Sequence, residues 1–234
     1  MTLKAVDESW TRALAVVAHP DDLEYGAASA IARWTQQGKS IAYALATRGE
    51  AGIAGMPPDT CGPLREEEQR RSAAIVGVRD VEFLGHQDGA VEYGLPLRRD
   101  ITAVIRQVRP EVVLTMNFEL TWAEGGVNHA DHRAVGLAVL DACRDAANEW
   151  VFPDAGPAWR GIASVFVSGT SAPTHFVDVT ETIERGVASL LEHRAYIDGL
   201  GTGFDPDEFL RGIAGLGGMA AGCDMALLCQ SFSV

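Results

Sequence analysis

Four times along this chain a short apolar run is followed by a longer stretch whose apolar residues recur at helical spacing. "ALAVVAH" (13–19) precedes "YGAASAIARWTQQGK" (25–39), and "SIAYALAT" (40–47) precedes "REEEQRRSAAIVGV" (65–78). "VEFLG" (81–85) then precedes "LRRDITAVIRQVRP" (97–110), and "EVVLTMN" (111–117) precedes "HRAVGLAVLDACRDAAN" (132–148). Continuous apolar runs suit strands covered on both faces, and the 3.6-residue spacing between them suits the covering helices. A series of βα units of this kind builds an α/β domain with a mostly parallel sheet flanked by helices. "SVFVSG" (164–169) and "THFVDVT" (174–180) read as two further strands, and "ETIERGVASLLEHRAYI" (181–197) as a late helix.

The 234 residues, 47% of them hydrophobic, suffice for one soluble domain spanning 1–234, and no apolar run approaches the roughly 18 residues of a membrane span. The start, "MTLKAVDESW", lacks the basic and apolar regions of a signal peptide, so a cytoplasmic protein is expected. Cys61, Cys143, Cys223 and Cys229 form no CxxC pair and read as free thiols of a reducing compartment. A formal charge of −13 argues against nucleic acid or an anionic membrane as partner and favours a neutral or cationic small molecule. Homo-oligomerisation is left open. The first strand is not followed by GxGxxG, which argues against a dinucleotide.

Ligands of open α/β sheets lie beyond the carboxyl ends of the strands, and two clusters of ionisable residues fall there. In "VVAHPDDLEYG" (16–26), His19, Asp21 and Asp22 follow the first strand, with Pro20 stiffening the turn. One Asp could cap the next helix, but capping leaves the second carboxylate and the imidazole without a task. In "NHADHRAVG" (128–136), His129, Asp131 and His132 follow the fourth strand. Catalytic zinc sites use three imidazole or carboxylate ligands and keep a position open, and His19, Asp22 and one histidine of the second cluster would complete such a set. If 129–132 were helical, Asp131 would point about 200° away from His129, so an orienting role for Asp131 requires a turn there and a helix starting near Arg133.

These motifs resemble the LmbE-like (PIG-L type) zinc N-deacetylases, whose pattern is HPDD after the first strand and HxDH after a later one. His19-Pro20-Asp21-Asp22 and His129-Ala130-Asp131-His132 match it, with support from "ATRGEAG" (46–52), "REEE" (65–68), "FLGHQDG" (83–89) and "ERGVASLLEHRAY" (184–196). The resemblance covers roughly residues 12–200. It implies a Rossmann-like fold and zinc-dependent hydrolysis of an acetamide on an amino sugar or its conjugate. By the same resemblance one Zn2+ per chain is held by His19, Asp22 and His132, and Asp21 is the general base. His129, cationic and tuned by Asp131, supports the oxyanion. Substrate contacts fall to Arg65, Asp88 and Glu50. Glu24 supports the metal turn or caps the helix. Segments 49–63 and 118–128 are read as loops forming the rim, with Met56 and Trp122 as shielding side chains. "AAS" (27–29) stands where the family often has GGT, and "HRAY" (193–196) departs from the family's HxSQ, which leaves His193 without a role. His86 and His175 are read as specificity or wall residues. Competing readings are an amidase removing a larger acyl unit from a thiol conjugate, and a manganese-dependent glycosyltransferase using Asp21 and Asp22 as a metal clamp.

Overall fold

The computed structural model describes residues 2–122, 125–201 and 203–234, so positions 123 and 124 of the second rim segment lie outside the described residues. In chain order the first half runs β1 (Lys4–Ala5), β2 (Arg12–Val17), α1 (Asp22–Gly26), α2 (Ala28–Gln36), β3 (Ser40–Leu45), α3 (Pro58–Ile75), β4 (Asp80–Phe83) and α4 (Leu95–Val108). The second half runs β5 (Val112–Met116), α5 (Ala130–Ala146), β6 (Ser164–Ser168), β7 (His175–Asp178), α6 (Ile183–Leu190), α7 (Arg194–Gly199), α8 (Pro206–Ala221) and β8 (Ala226–Ser233). These strands form one sheet in the order β1-β7-β8-β6-β5-β2-β3-β4. All pairs are parallel except those of β8 with β6 and β7.

The apolar run of β2 is buried on both sides because its side chains alternate between two cores. Ala13, Ala15 and Val17 pack with Ile31 and Trp34 of α2 and Leu190 of α6. Leu14, Val16 and Ala18 pack with Ile101 and Ile105 of α4 and Val135 and Val139 of α5. The chain leaves β2 toward β3 on one side, whereas β5 pairs on the other side. That reversal opens a crevice at the carboxyl ends of β2 and β5.

Three segments depart from the sequence expectations. α3 begins at Pro58, within the expected loop 49–63, and contains Pro63. Pro58 stands at the first helical position, where its missing N–H costs nothing, and Pro63 interrupts a single bond of an otherwise continuous helix. The expected late helix breaks into α6 and α7, with His193 non-helical between them. Residues 206–233, beyond the matched region, form α8 and the antiparallel β8. The four cysteines are unpaired, and no helix among the described residues is long and apolar enough to cross a membrane.

α8 lies close on β8 because of its glycines. A Cβ at Gly217 would overlap the carbonyl oxygen of Ala226, whereas one at Gly215 would meet open space. Replacing a helical glycine by alanine gains up to about 1 kcal/mol of helix propensity where there is room. Against an immobile backbone oxygen, overpacking of about 1–3 kcal/mol wins. Gly215→Ala should therefore raise the midpoint of thermal unfolding and Gly217→Ala lower it, by about 2–4 °C per kcal/mol for a chain of this size. Shifts of the same sign in the two variants would contradict this packing.

Candidate active site

His19 lies two residues past β2, and Asp22 opens α1. His132 lies in the first turn of α5, the helix that follows β5. The two turns face each other across the crevice. His132 Nε2 is 3.2 Å from His19 Nδ1 and 3.2 Å from Asp22 Oδ1. The other oxygen of Asp22 is anchored, accepting the backbone N–H of Ala18 at 3.0 Å and of His19 at 2.8 Å.

The remaining ring nitrogens fix the tautomers. His132 Nδ1 donates to Asn128 Oδ1 at 2.9 Å, and the Asn128 amide is held by donating to the carbonyls of Asn117 and Glu119. His19 Nε2 faces Asp88 Oδ1 at 3.1 Å and Asp131 Oδ2 at 3.2 Å, so it carries the proton. In the neutral imidazoles the two nitrogens that face each other are therefore lone pairs, and a carboxylate oxygen joins them. Three acceptors at this spacing repel unless a cation lies among them. Ligand atoms about 2.0–2.1 Å from a tetrahedral zinc stand about 3.4 Å apart, close to the spacings here. The residues thus fit a divalent metal, and His19, Asp22 and His132 are brought together as one candidate metal group. Burial alone would favour neutral groups. Without a metal the same groups relieve the repulsion by taking up protons: hydrogen bonds donated by His19 to Asp131 and Asp22 hold its imidazole well above the usual range, and the charge of His132 keeps Asp22 well below the usual carboxylate range.

Asp21 sits at the entry to α1 with a left-handed φ of 88°, and its side chain caps nothing, so the capping alternative fails. Such a conformation costs about 1–3 kcal/mol and persists where neighbours enforce it. Here the neighbours are identifiable. Its N–H donates to Gln69 Oε1 at 3.0 Å, and Gln69 Nε2 donates in turn to Glu24 Oε1 at 2.9 Å. Glu24 also accepts from Ser72 Oγ at 2.7 Å and lies 3.6 Å from His193 Nε2. Glu24 and His193 thus form a buried polar layer beneath the turn, and His193 gains the structural role that the sequence left blank. Burial raises the Asp21 carboxyl to about 7 against the opposing charge of Arg65.

The three expected substrate contacts are engaged within the protein. Arg65 is buried, donating to Gly49 O at 3.0 Å, Pro20 O at 2.6 Å and Asp21 Oδ2 at 3.1 Å, with its guanidinium 4.4 Å from the Tyr196 ring centre. Gly49, at φ 63°, and Gly52 leave the room that this guanidinium occupies. Asp88 lines the cavity, but its carboxylate faces His19 and accepts the N–H of Ala51 at 2.8 Å. Glu50 accepts from the N–H of Asp88 and of Arg48 and is absent from the cavity lining, so it braces the loop.

The second motif also differs from expectation. α5 starts at Ala130, earlier than Arg133, with His129 extended at the N-cap. His129 Nδ1 accepts the Asp131 N–H at 3.1 Å, whereas the Asp131 carboxylate is 3.9 Å away. That carboxylate instead accepts from Gly89 N–H at 2.7 Å and Val91 N–H at 3.2 Å and faces His19. Burial, then the charge of His19, lower the His129 imidazole below its usual value. Contrary to the cationic His129 expected, both the amide donated to its Nδ1 and the downward shift favour the neutral ring, and His129 lines the cavity. His86 pairs with Asp100, and His175 with Thr174 on β7, away from the metal turns.

The cavity holding these groups has a volume of about 870 Å³. Segment 49–63 contributes Gly52 to its wall and segment 118–128 contributes Trp122; Met56 is not part of it. Much of the rest is Tyr25, Tyr196, and side chains of α8 and β8 that the sequence reading missed. Asn128 was equally unassigned, although an amide just ahead of the helix and four residues before His132 is the signal that would have found it.

A parallel α/β sheet with a His/Asp/His donor set and a buried aspartate at its strand-order reversal defines a candidate metallohydrolase. The chain belongs to the GlcNAc-PI de-N-acetylase (PIG-L) family, whose profile matches residues 14–143. It is 34% identical over 136 residues to a probable N-acetyl-alpha-D-glucosaminyl L-malate deacetylase 2 of Bacillus anthracis, covering 55% of this chain and 58% of that protein. It is 30% identical over 193 residues to the diacetylchitobiose deacetylase of Thermococcus kodakarensis, covering 79% of this chain and 69% of that one. The chain therefore spans little more than half the length of the first relative. The fold superposes on N,N'-diacetylchitobiose deacetylase from Pyrococcus horikoshii with a TM-score of 0.87 at 21% identity, covering 96% of this chain and 85% of that one.

Purified protein equilibrated with zinc and freed of excess should carry about one metal per chain, and His132→Ala should lose most of it. Full occupancy in that variant would show that the metal lies elsewhere.

Proposed function

We propose that this chain is a zinc-dependent N-deacetylase acting on a small acetamido substrate, an amino sugar or its conjugate. The observation that carries the reading is the convergence of three tautomer-fixed acceptors beside a buried carboxylate that is not one of them. Family membership supports it, since the relatives are named as deacetylases of acetylated amino-sugar compounds. A glycosyltransferase clamp built from Asp21 and Asp22 would leave His132 and its Asn128 support unused. The net charge of −13 agrees with a small molecule rather than nucleic acid as substrate.

Zinc, one per chain on His19, Asp22 and His132, would supply Lewis acidity toward the acyl oxygen and toward water. Asp21, oriented by Arg65 and Gln69, takes the proton of the attacking water as the C–O bond forms. It returns that proton to the amine nitrogen as the C–N bond breaks. The products are the free carboxylic acid and the amine. His129 donates Nε2–H to the oxygen that gains negative charge, and the cap on its Nδ1 keeps that donor aimed. Asp131 and Asp88 keep the proton on His19 Nε2 and so leave Nδ1 free to ligate.

An assay of free-amine release against a panel of N-acetyl amino sugars and their conjugates tests the reaction, and no release from any member by zinc-loaded protein would overturn it. Asp21→Asn should keep zinc and lose about 10²- to 10⁴-fold in turnover. Near wild-type turnover in that variant would assign the base to another group.

The pH profile supplies a separate test of the surrounding charges. Asp21 acts as a base only when ionised, and the Arg65 charge lowers its pKa. Arg65→Gln should therefore move the acid limb of kcat/KM to higher pH, with Arg65→Lys moving it less. His129→Gln should reduce turnover without displacing the basic limb, because the ring already works in its neutral form. A basic limb lost in His129→Gln would restore a cationic histidine.

A further inference from the structure

The cavity that contains the metal turns is lined by two chemically distinct sets of groups. His19, Asp21, Asp22 and His132 supply its polar lining beside the metal turns, while Phe209, Ile213 and Leu216 of α8 with Leu227 and Leu228 of β8 supply an apolar wall. Phe209, Ile213 and Leu216 follow at intervals of four and three, which places them on one side of the helix. They remain 38%, 49% and 65% exposed, whereas Leu210 and Ala214 of the same helix are buried in the core. From Gly212 to Ala221 the helix carries no charge at all, an unusual surface for a soluble protein unless it contacts a ligand. The polar groups suited to a second sugar, Arg65, Asp88 and Glu50, are already bonded to the protein. The apolar wall, moreover, comes from residues 206–233, outside the 14–143 matched by the family profile.

We propose that the substrate of this chain carries an apolar arm, an alkyl or aryl group attached to the amide, which lies in the trough between α8 and β8. The inference rests on the hydrolase reading above for the reaction and adds the class of molecule. Continuity of the trough with the metal turns selects this occupant over a second protein copy, because an arm of a bound amide reaches it without crossing solvent. Phe209 also meets Tyr25 and Phe204 in an aromatic cluster, with ring centres 5.7 Å and 5.4 Å from its own, which gives the trough a firm end wall.

Two substrate series test the proposal and identify the side of the amide that bears the arm. One is N-acyl glucosamine lengthened from acetyl through butanoyl and hexanoyl to octanoyl. The other is N-acetylglucosaminide with methyl, butyl, octyl or phenyl aglycone. With zinc-loaded protein, kcat/KM should rise at least about tenfold along one series, the ceiling being about fourfold per buried methylene. Ile213→Asn combined with Leu216→Glu should flatten the rise. Met219→Glu, on the same helix but 74% exposed and outside the cavity lining, should leave both the rise and the rate on the short substrate in place. Calorimetric titration of metal-free protein with methyl and octyl glucosaminides, the free amines, reads the trough without any hydrolysis. Tighter binding of the octyl compound without cleavage of any amide would uphold the trough and remove the hydrolase reading. Cleavage with no length dependence in either series and no gain in binding would overturn the trough and leave the hydrolase reading standing. A shift in oligomeric state on sedimentation in the double variant, with its length dependence intact, would also overturn the proposal and assign the face to a second copy.

Discussion

Two imidazole nitrogens and a carboxylate oxygen are held facing one another at about hydrogen-bond distance, and the surrounding architecture enforces that confrontation. Asn128 fixes the ring of His132, and Asp88 with Asp131 fixes that of His19. Asp22 is tethered by the N–H groups of its own turn. In a buried crevice such an arrangement is unfavourable without positive charge among the three, which protons supply in the metal-free protein and a divalent ion would supply in their place. Parallel pairing of β2 with β5 supplies the geometry, since it sets the ends of two strands distant in sequence side by side.

A second layer acts on Asp21. Its left-handed backbone turns the carboxylate away from the capping position that an aspartate at a helix start would ordinarily take. Gln69, Glu24, Ser72 and His193 hold the turn from below, and Arg65 holds the carboxylate from the side. The division of labour between adjacent aspartates follows from these neighbours. Asp22 is stabilised as an anion by two histidines, while burial raises the Asp21 carboxyl to about 7, a range that suits the base role proposed for it.

The four βα units and both histidine motifs were legible because a strand buried on both faces leaves a continuous apolar run and because the ligands fall in short turns beside those runs. The start of α3 was not legible, since Pro58, Gly62 and Pro63 carry loop chemistry and are helical only by virtue of position and packing. α8 was missed for a similar reason: Gly212, Gly215, Gly217 and Gly218 depress helix propensity, and the close contacts of Gly217 with β8 and of Gly218 with the Cys223–Asp224 turn are tertiary facts. The break before α7 depends on the buried proximity of His193 to Glu24, which no local spacing reveals. The types of Arg65, Asp88 and Asp131 pointed to the site, but their partners decided their tasks. Each was read as acting on substrate or on His129, and each is turned toward the protein's own metal turns.

Two neutral imidazoles and a carboxylate are expected to hold one metal per chain. X-ray absorption spectroscopy of the zinc-loaded protein measures this directly. A nitrogen and oxygen shell at about 2.0–2.1 Å, with the outer-shell scattering of two imidazoles and no sulfur, is expected. A sulfur shell near 2.3 Å, or scattering from fewer than two imidazoles, would place the metal on other residues and contradict this ligand set.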